Sequence, residues 1–328
     1  MPRPIPVRCA VVLPALNEEA TIVETVRSFA RCLPEASIWV VDNASDDATA
    51  RLATDEISRL HVTGGVLHER RRGKGHAVRR AFREIDADVY VLADADMTYP
   101  AERAHLLIEP VVQGVADMVV GDRMSGGDYQ RENKRALHGF GNQLVRLLVN
   151  KAFGANLSDI MSGYRAFSRA FVKTYPIVVS GFEIETDMTL HALDKRLAII
   201  EVPISYRDRP SGSLSKLSTF RDGARVVFTF TTVLRYYRPL LFFGIAAVGV
   251  ACLGLIAAIP VFDDWIRERY IHHVPLAILA TGLELVAIVL AAVGLILDSI
   301  AHQEKRRFER ELVAVSALSA GVARQADR

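Results

Sequence analysis

Asp88-Val-Tyr-Val-Leu-Ala-Asp-Ala-Asp96 sets an uninterrupted apolar run directly before two carboxylates. A short apolar run with polar ends reads as a strand buried on both faces, the habit of parallel sheets covered by helices. In open α/β sheets, ligands bind beyond the carboxyl ends of the strands. Asp94, Ala95 and Asp96 therefore stand where a ligand is expected. Two carboxylates one residue apart on a loop can share one hard cation. Mg²⁺ takes one or two carboxylates plus substrate phosphates, and Mn²⁺ suits the same oxygen donors. Taken alone the pair is a weak signal, because acidic pairs also cap helices.

The segments on either side repeat the pattern. Cys9 to Leu16 is a short apolar run that meets Asn17-Glu18-Glu19 at once, so it reads as a strand and not as a signal peptide. A helix is expected from Ala20 to Cys32, apolar at Ile22, Val26 and Phe29. Ser37 to Asp42 reads as a second strand, and Asp46 to Leu60 as a helix with acids in its first turn. Gly64 to His68 reads as a third strand, and Gly73-Lys74-Gly75 opens a helix through Phe82 and Ile85. Asp88 to Asp94 is then the fourth strand and Asp117 to Gly121 the fifth. Such alternation predicts an α/β fold with a mainly parallel sheet. From Gly126 to Arg209 it weakens, with helices expected from His138 to Phe153 and Glu185 to Lys195, and a strand from Ala198 to Val202. This half is expected to cover the ligand cleft.

The strand ends share one edge. Pro14, Leu16 and Glu18 end the first strand, and Asp42 and Asn43 the second. Arg70 to Lys74 lie past the third, and Arg123 follows the fifth. Acids for a metal, cations for phosphate and polar groups for a base make a nucleotide-diphosphate site. The Arg70-Arg71-Arg72 run fits a plain solvated surface equally well.

Two long apolar segments close the chain. Leu240 to Ile259 carries no charge, and Val274 to Leu297 carries only Glu284. Each is long enough to span a bilayer, about 20 residues being required. A polar loop is expected from Asp263 to His273. Arg221, Arg225, Arg235 and Arg238 precede the first span, and Lys305, Arg306, Arg307 and Arg310 follow the second. The bias predicts a multi-pass cell-membrane protein with both flanks in the cytoplasm. Lys216 to Tyr237 mixes aromatic and aliphatic residues with three arginines, Arg221, Arg225 and Arg235, which fits either an interfacial helix on anionic lipid or a helix packed on the domain. Neither span offers Glu284 a cation. It is expected protonated, shifted shallower, or hydrogen-bonded across the hairpin or between copies of the chain. An interface between copies, hence a homo-oligomer through the hairpin, is the favoured expectation.

Composition narrows the class. The 328 residues carry 40 Lys and Arg against 38 Asp and Glu, a formal charge of +2, which excludes a strongly basic nucleic-acid binder. Cys9, Cys32 and Cys252 lie far apart, which excludes a disulfide scaffold or a cysteine zinc site.

Several motifs, in order, carry a resemblance. They are Val12-Leu-Pro-Ala-Leu-Asn-Glu18, Val40-Val-Asp-Asn-Ala-Ser45, Arg72-Gly-Lys-Gly75, Asp94-Ala-Asp96, Val120-Gly-Asp-Arg123, Asp159-Ile-Met-Ser-Gly-Tyr-Arg165 and Val202 to Lys216. The chain resembles a family 2 glycosyltransferase of the polyprenyl-phosphate type, the group containing dolichyl-phosphate mannose synthase. The paired C-terminal spans match members that carry a membrane hairpin. The resemblance implies a GT-A nucleotide-sugar-binding fold over 1–210, a juxtamembrane region 211–238, a two-helix hairpin 239–300 and a basic cytoplasmic tail 301–328. It implies a divalent cation at Asp94 and Asp96, and donor contacts from Pro14, Leu16, Glu18, Asp42, Asn43, Lys74 and Ala95. Acceptor or diphosphate contacts are implied for Arg123, Arg135, Arg209, Ser213 and Lys216. Two positions depart from the family: Asn43-Ala44 where a second Asp and a Gly are frequent, and Thr98 where a Gln is common.

The implied reaction moves a sugar from a UDP- or GDP-sugar to a polyprenyl phosphate, with inversion, for a cell-envelope glycan or glycoprotein. A phosphate monoester has a second pKa near 6, so the acceptor is largely dianionic and needs no strong general base. Arg123, Arg135 and Arg209 would offset the repulsion of two anions. Asp159 could orient a sugar hydroxyl, the acceptor site or Arg165. A processive polysaccharide synthase would carry Gln-x-x-Arg-Trp, and neither Trp39 nor Trp265 follows that pattern. A non-catalytic scaffold would have no use for the intact Asp94 and Asp96 pair.

Overall fold

The computed structural model describes residues 7–125, 136–181, 183–205 and 235–326. The chain divides into two compact units, Met1–Thr219 with Arg310–Arg328, and Phe220–Glu309.

The first unit is built on a seven-stranded sheet in the order β3-β2-β1-β4-β6-β5-β7. Its strands are β1 Cys9–Ala15, β2 Ser37–Asp42, β3 Gly64–His68, β4 Val89–Leu92, β5 Met118–Asp122, β6 Arg165–Ser168 and β7 Ile199–Pro203. Its helices are α1 Ile22–Cys32, α2 Thr49–Leu60, α3 Lys74–Glu84, α4 Ala104–Val112, α5 Ala136–Phe153, α6 Arg169–Thr174 and α7 Ile184–Asp194. β1 pairs in parallel with β2 and β4, and β2 with β3. β6 runs antiparallel between β4 and β5, while β7 is parallel to β5. This is a GT-A-like α/β fold with a mostly parallel sheet.

Burial on both faces explains the unbroken apolar runs. In β1, Val11 and Leu13 pack with Ile22, Val26, Phe29 and Leu107 on one side. Ala10 and Val12 pack with Val78, Phe82, Tyr90 and Phe171 on the other. Successive side chains of a strand point to opposite faces, so both sets must be apolar.

The helix starts differ slightly from expectation. α1 begins at Ile22 because the Glu18 carbonyl accepts the Thr21 and Ile22 N–H groups in a preceding turn. α2 begins at Thr49, whose N–H donates to the Asp47 carboxylate at 2.9 Å. Sequence reading missed α4, β6 and α6. β6 is only four residues long and opens on a charged residue, Arg165, so no apolar run announces it.

α8 spans Pro239–Glu268 and α9 spans Val274–Ala326, and the second unit holds α8 and α9 as far as Glu309. Both are long and apolar enough to cross a membrane. Helix α8 runs through part of the segment expected as a loop, helped by an Arg267–Asp263 pair one turn apart at 2.7 Å. It ends at Arg269, in the left-handed conformation with φ 56°. A Cβ on Gly254 would meet Leu283 and Glu284, and one on Gly294 would meet Leu240 and Phe243, so the two helices pack antiparallel. Ala247, Ala280 and Ala287 are buried at this contact, small residues that let backbones approach. Glu284 turns toward Gly254 of the same hairpin, and its buried Oε1 has no hydrogen-bond partner. The expected use of Glu284 between copies thus meets a side chain directed into its own hairpin. The juxtamembrane stretch expected as an interfacial helix lies, up to residue 234, outside the described residues.

Candidate active site

Parallel pairing brings the carboxyl ends of β1, β2, β3 and β4 to one edge, and the register Ala15 to Asp42 to His68 shows it directly. β6 starts at that same edge, with Arg165 opposite Leu92 and Val120. The loop Asp159 to Tyr164 therefore arrives beside Asp94 and Arg123.

Lys74 is the first residue of α3 and is buried. Its ammonium bridges two carboxylates, pairing with Asp94 and, at 2.5 Å, with Glu185 of α7. Burial works against the charge, but Asp94 and Glu185 outweigh it and hold the Lys74 pKa above the ordinary lysine value. Asp96 is buried and accepts from the Thr98 hydroxyl at 2.6 Å and the Thr98 N–H at 3.2 Å. Thr98, the departure from the family pattern, thus steadies an acid of the pair. The Ala95 carbonyl accepts from Thr21 at 2.8 Å and Thr25 at 3.1 Å, which ties the acidic loop to α1.

Gly163 completes this cluster. A Cβ there would lie 3.0 Å from both Asp94 Oδ2 and Lys74 Nζ. Its N–H donates to Tyr99 Oη at 2.9 Å, and Tyr99 stacks on Tyr164. Burial raises the Tyr99 pKa, and its ring senses Arg123 as well as Asp94 and Lys74. Tyr99 therefore links the lysine cluster to a second one.

In that second cluster, Arg123 meets Asp159 in a bidentate pair at 2.7 and 2.9 Å. Arg123 and not Arg165 is the direct partner of Asp159. Burial alone would raise the Asp159 pKa, but the Arg123 hydrogen bond brings it below the usual carboxylate value. Glu201 of β7 accepts the N–H groups of Ser158 and Asp159 at 2.8 to 2.9 Å. Arg165, fully buried, holds the loop through the carbonyls of Ser162 and Ile160 and the Thr189 hydroxyl.

Nearer β2, the Asn43 side chain organises the loop after β3. Its Oδ1 accepts the Gly73 N–H at 2.7 Å, and its Nδ2 donates to the Arg71 carbonyl at 2.6 Å. This amide, expected at a base edge, is engaged with backbone. Asp42 is buried beside it, and Pro14, Leu16 and Glu18 are half-buried at the end of β1. In the Arg70 to Arg72 run, Arg71 pairs with Glu69 and Arg72 with Asp46. The glycines flanking Lys74 have a packing reason: a Cβ at Gly73 or Gly75 would strike the Ser180 or Val179 carbonyl. Arg135, Arg209, Ser213 and Lys216 lie outside the described residues.

Sequence reading missed Glu185, Glu201, Thr21, Thr25 and Tyr99. Each lies on an element distant in sequence from the residue it contacts. Gly163 sat inside a quoted motif with no role attached. Among the described residues, no three His, Cys, Asp or Glu side chains converge as a metal cage. Asp94 and Asp96 still suit a hard cation that completes its shell with phosphate oxygens, and Gly163, having no side chain, lets Asp94 and Lys74 approach its backbone closely.

Comparison with known proteins gives the family. The family model described as glycosyl transferase family 2 matches residues 10–175. A glycosyltransferase, AglJ, from Haloferax volcanii is 30% identical over 94% of this chain and 98% of its own. An undecaprenyl-phosphate mannosyltransferase from Micrococcus luteus is 31% identical over 67% of this chain and 91% of its own. In fold, a glucosyl-3-phosphoglycerate synthase from Mycobacterium tuberculosis, solved with Mn²⁺, UDP and its product, covers 70% of this chain and 79% of its own. Its TM-score is 0.52 at 24% identity. The chain belongs to glycosyl transferase family 2 and is a hexosyltransferase.

Proposed function

We propose that this chain transfers a hexose or N-acetylhexosamine from a UDP- or GDP-sugar to a polyprenyl phosphate, inverting the anomeric carbon at the cytoplasmic face of a membrane. The observation that carries the lipid acceptor is the pair of C-terminal helices. They expose Ile245, Leu255, Ile278 and Ile288, each more than half accessible, as bilayer-facing groups would be. Relatives named for undecaprenyl-phosphate and polyprenol-monophosphate mannosyl transfer point the same way.

Asp94 and Asp96 would hold Mg²⁺ or Mn²⁺, which supplies charge neutralisation for the departing nucleoside diphosphate. Lys74 adds a buried cation next to Asp94, where an anionic leaving group needs one. Asp159 and Glu201 fix the Arg123 guanidinium, which faces the two anions that must meet. Arg135, Arg209, Ser213 and Lys216 serve the acceptor phosphate in this reading. Pro14, Leu16, Glu18 and Asp42 line the nucleotide side, with Asn43 shaping it through the loop it holds. The acceptor phosphate is itself the nucleophile, so the work left to these side chains is orientation and charge.

Asp96→Ala tests the reading. The variant should insert in membranes and unfold at the same temperature, yet lose more than a hundredfold of its metal-dependent transfer. Full activity of Asp96→Ala in chelator contradicts it.

A further inference from the structure

Glu185 lies in α7, outside every motif that marks the site and far along the chain from Lys74, yet its carboxylate is buried against Lys74. The ammonium thus has two anionic partners, and one of them, Asp94, is wanted elsewhere. We infer that Glu185 is a positioning residue that receives Lys74 when Asp94 turns to the divalent cation. The inference rests on the reading of Asp94 and Asp96 as the cation's ligands.

The argument is one of competition. The Lys74 ammonium lies against Asp94 Oδ1. A divalent cation held by the same carboxylate would repel the ammonium and favour its withdrawal from Asp94. It cannot withdraw to water, because its side chain is only 7% exposed. A buried ammonium with no carboxylate is costly, far more so than a paired one. Glu185 is already within 2.5 Å and equally buried, so Lys74 can leave Asp94 and remain paired. It stays in the pocket as a cation for the donor and is not expelled by the metal. Gly163 bounds the same space, being close to both Asp94 Oδ2 and Lys74 Nζ, so the ammonium has little room to move in any other direction.

With Gln at 185, Asp94 would be the only acid still paired with Lys74. Metal loading would then strip a buried charge of its partner, and the metal should bind more weakly. With Lys74 replaced by Met there is no ammonium to relocate, so position 185 should matter little. A role in folding alone, or a direct pull of Glu185 on the cation, would not depend on Lys74.

The test is a double-mutant cycle on the full chain in detergent. Mn²⁺ alone is titrated and its free form is followed by electron paramagnetic resonance, with thermal unfolding recorded for each variant. E185Q should weaken Mn²⁺ binding about tenfold in the native background, and less than threefold in the K74M background. Equal weakening in both backgrounds, or none in either, overturns the inference while leaving the metal site standing. Failure of the native chain to bind Mn²⁺ at all overturns both the inference and the metal reading beneath it.

Discussion

A side chain added where two opposite charges already touch must displace one of them, and Gly163 is such a place. A Cβ there would sit 3.0 Å from Lys74 Nζ and from Asp94 Oδ2. Lys74 is buried between Asp94 and Glu185, so an added methyl acts directly on the Lys74–Asp94 pair. Gly163→Ala should therefore lower kcat/KM at least tenfold while changing the unfolding temperature by only a few degrees, as steady-state kinetics and thermal unfolding will report. Strained backbone marks the same edge. Asn17, Ala44 and Met97 adopt left-handed conformations with φ 55°, 58° and 63°, each just past β1, β2 or β4. For Ala and Met this costs about 1 kcal/mol or more, the kind of strain found at functional sites. A glycine would take the Ala44 conformation without that cost.

Among the elements, the hairpin offers an internal control. A Cβ on Gly254 would lie 2.6 Å from Glu284 Oε1, whereas one on Gly249 meets nothing within 4 Å. Gly254→Leu should separate α8 from α9, costing about 1–3 kcal/mol by overpacking. Gly249→Leu should be tolerated. Thermal unfolding of the detergent-purified variants distinguishes them, and equal effects would show that the helices do not pack through Gly254. Elements with a period were legible in the sequence: β1 to β5, α1 to α3 and both apolar helices. β6 was not, because a central strand of four residues that starts with a buried arginine has the local look of a loop. Nor was the pairing of Asp159. Arg165 lay near it in sequence, but β6 carries Arg165 into the core, where carbonyls and Thr189 surround its guanidinium. The loop leading into β6 instead delivers Asp159 to Arg123.

On the scale of the whole molecule, acid should erode stability in two stages. Burial, aided by nearby Lys195, pushes the His191 imidazole down to about 4. The unfolded chain takes that proton near 6.5, so protonation favours unfolding as pH falls from about 6.5 to 4, by roughly 3 kcal/mol in all. Glu69, held down to about 2 mainly by its Arg71 hydrogen bond, stabilises the fold above about 4.5 and loses that contribution as pH falls toward 2. Thermal unfolding between pH 7 and 4 should show the first stage. His191→Phe, which keeps the aromatic packing against Phe171 and Tyr175, should flatten it. That Lys74, Asp94, Asp96 and Arg123 gather at one edge was legible because they sit in short motifs at strand ends. Glu185 and Glu201 were not, since only the closed fold carries α7 and β7 to that edge.

The central claim is the lipid acceptor, since the fold by itself does not choose an acceptor and one protein of like fold is named a glucosyl-3-phosphoglycerate synthase. The most direct measurement supplies radiolabelled UDP- and GDP-sugars with Mn²⁺ to the full chain in lipid, offered undecaprenyl phosphate and 3-phosphoglycerate together. The account predicts label extracted into organic solvent as an acid-labile monosaccharide phosphodiester, abolished by chelator. Label found only in an aqueous phosphoglycerate product would contradict it.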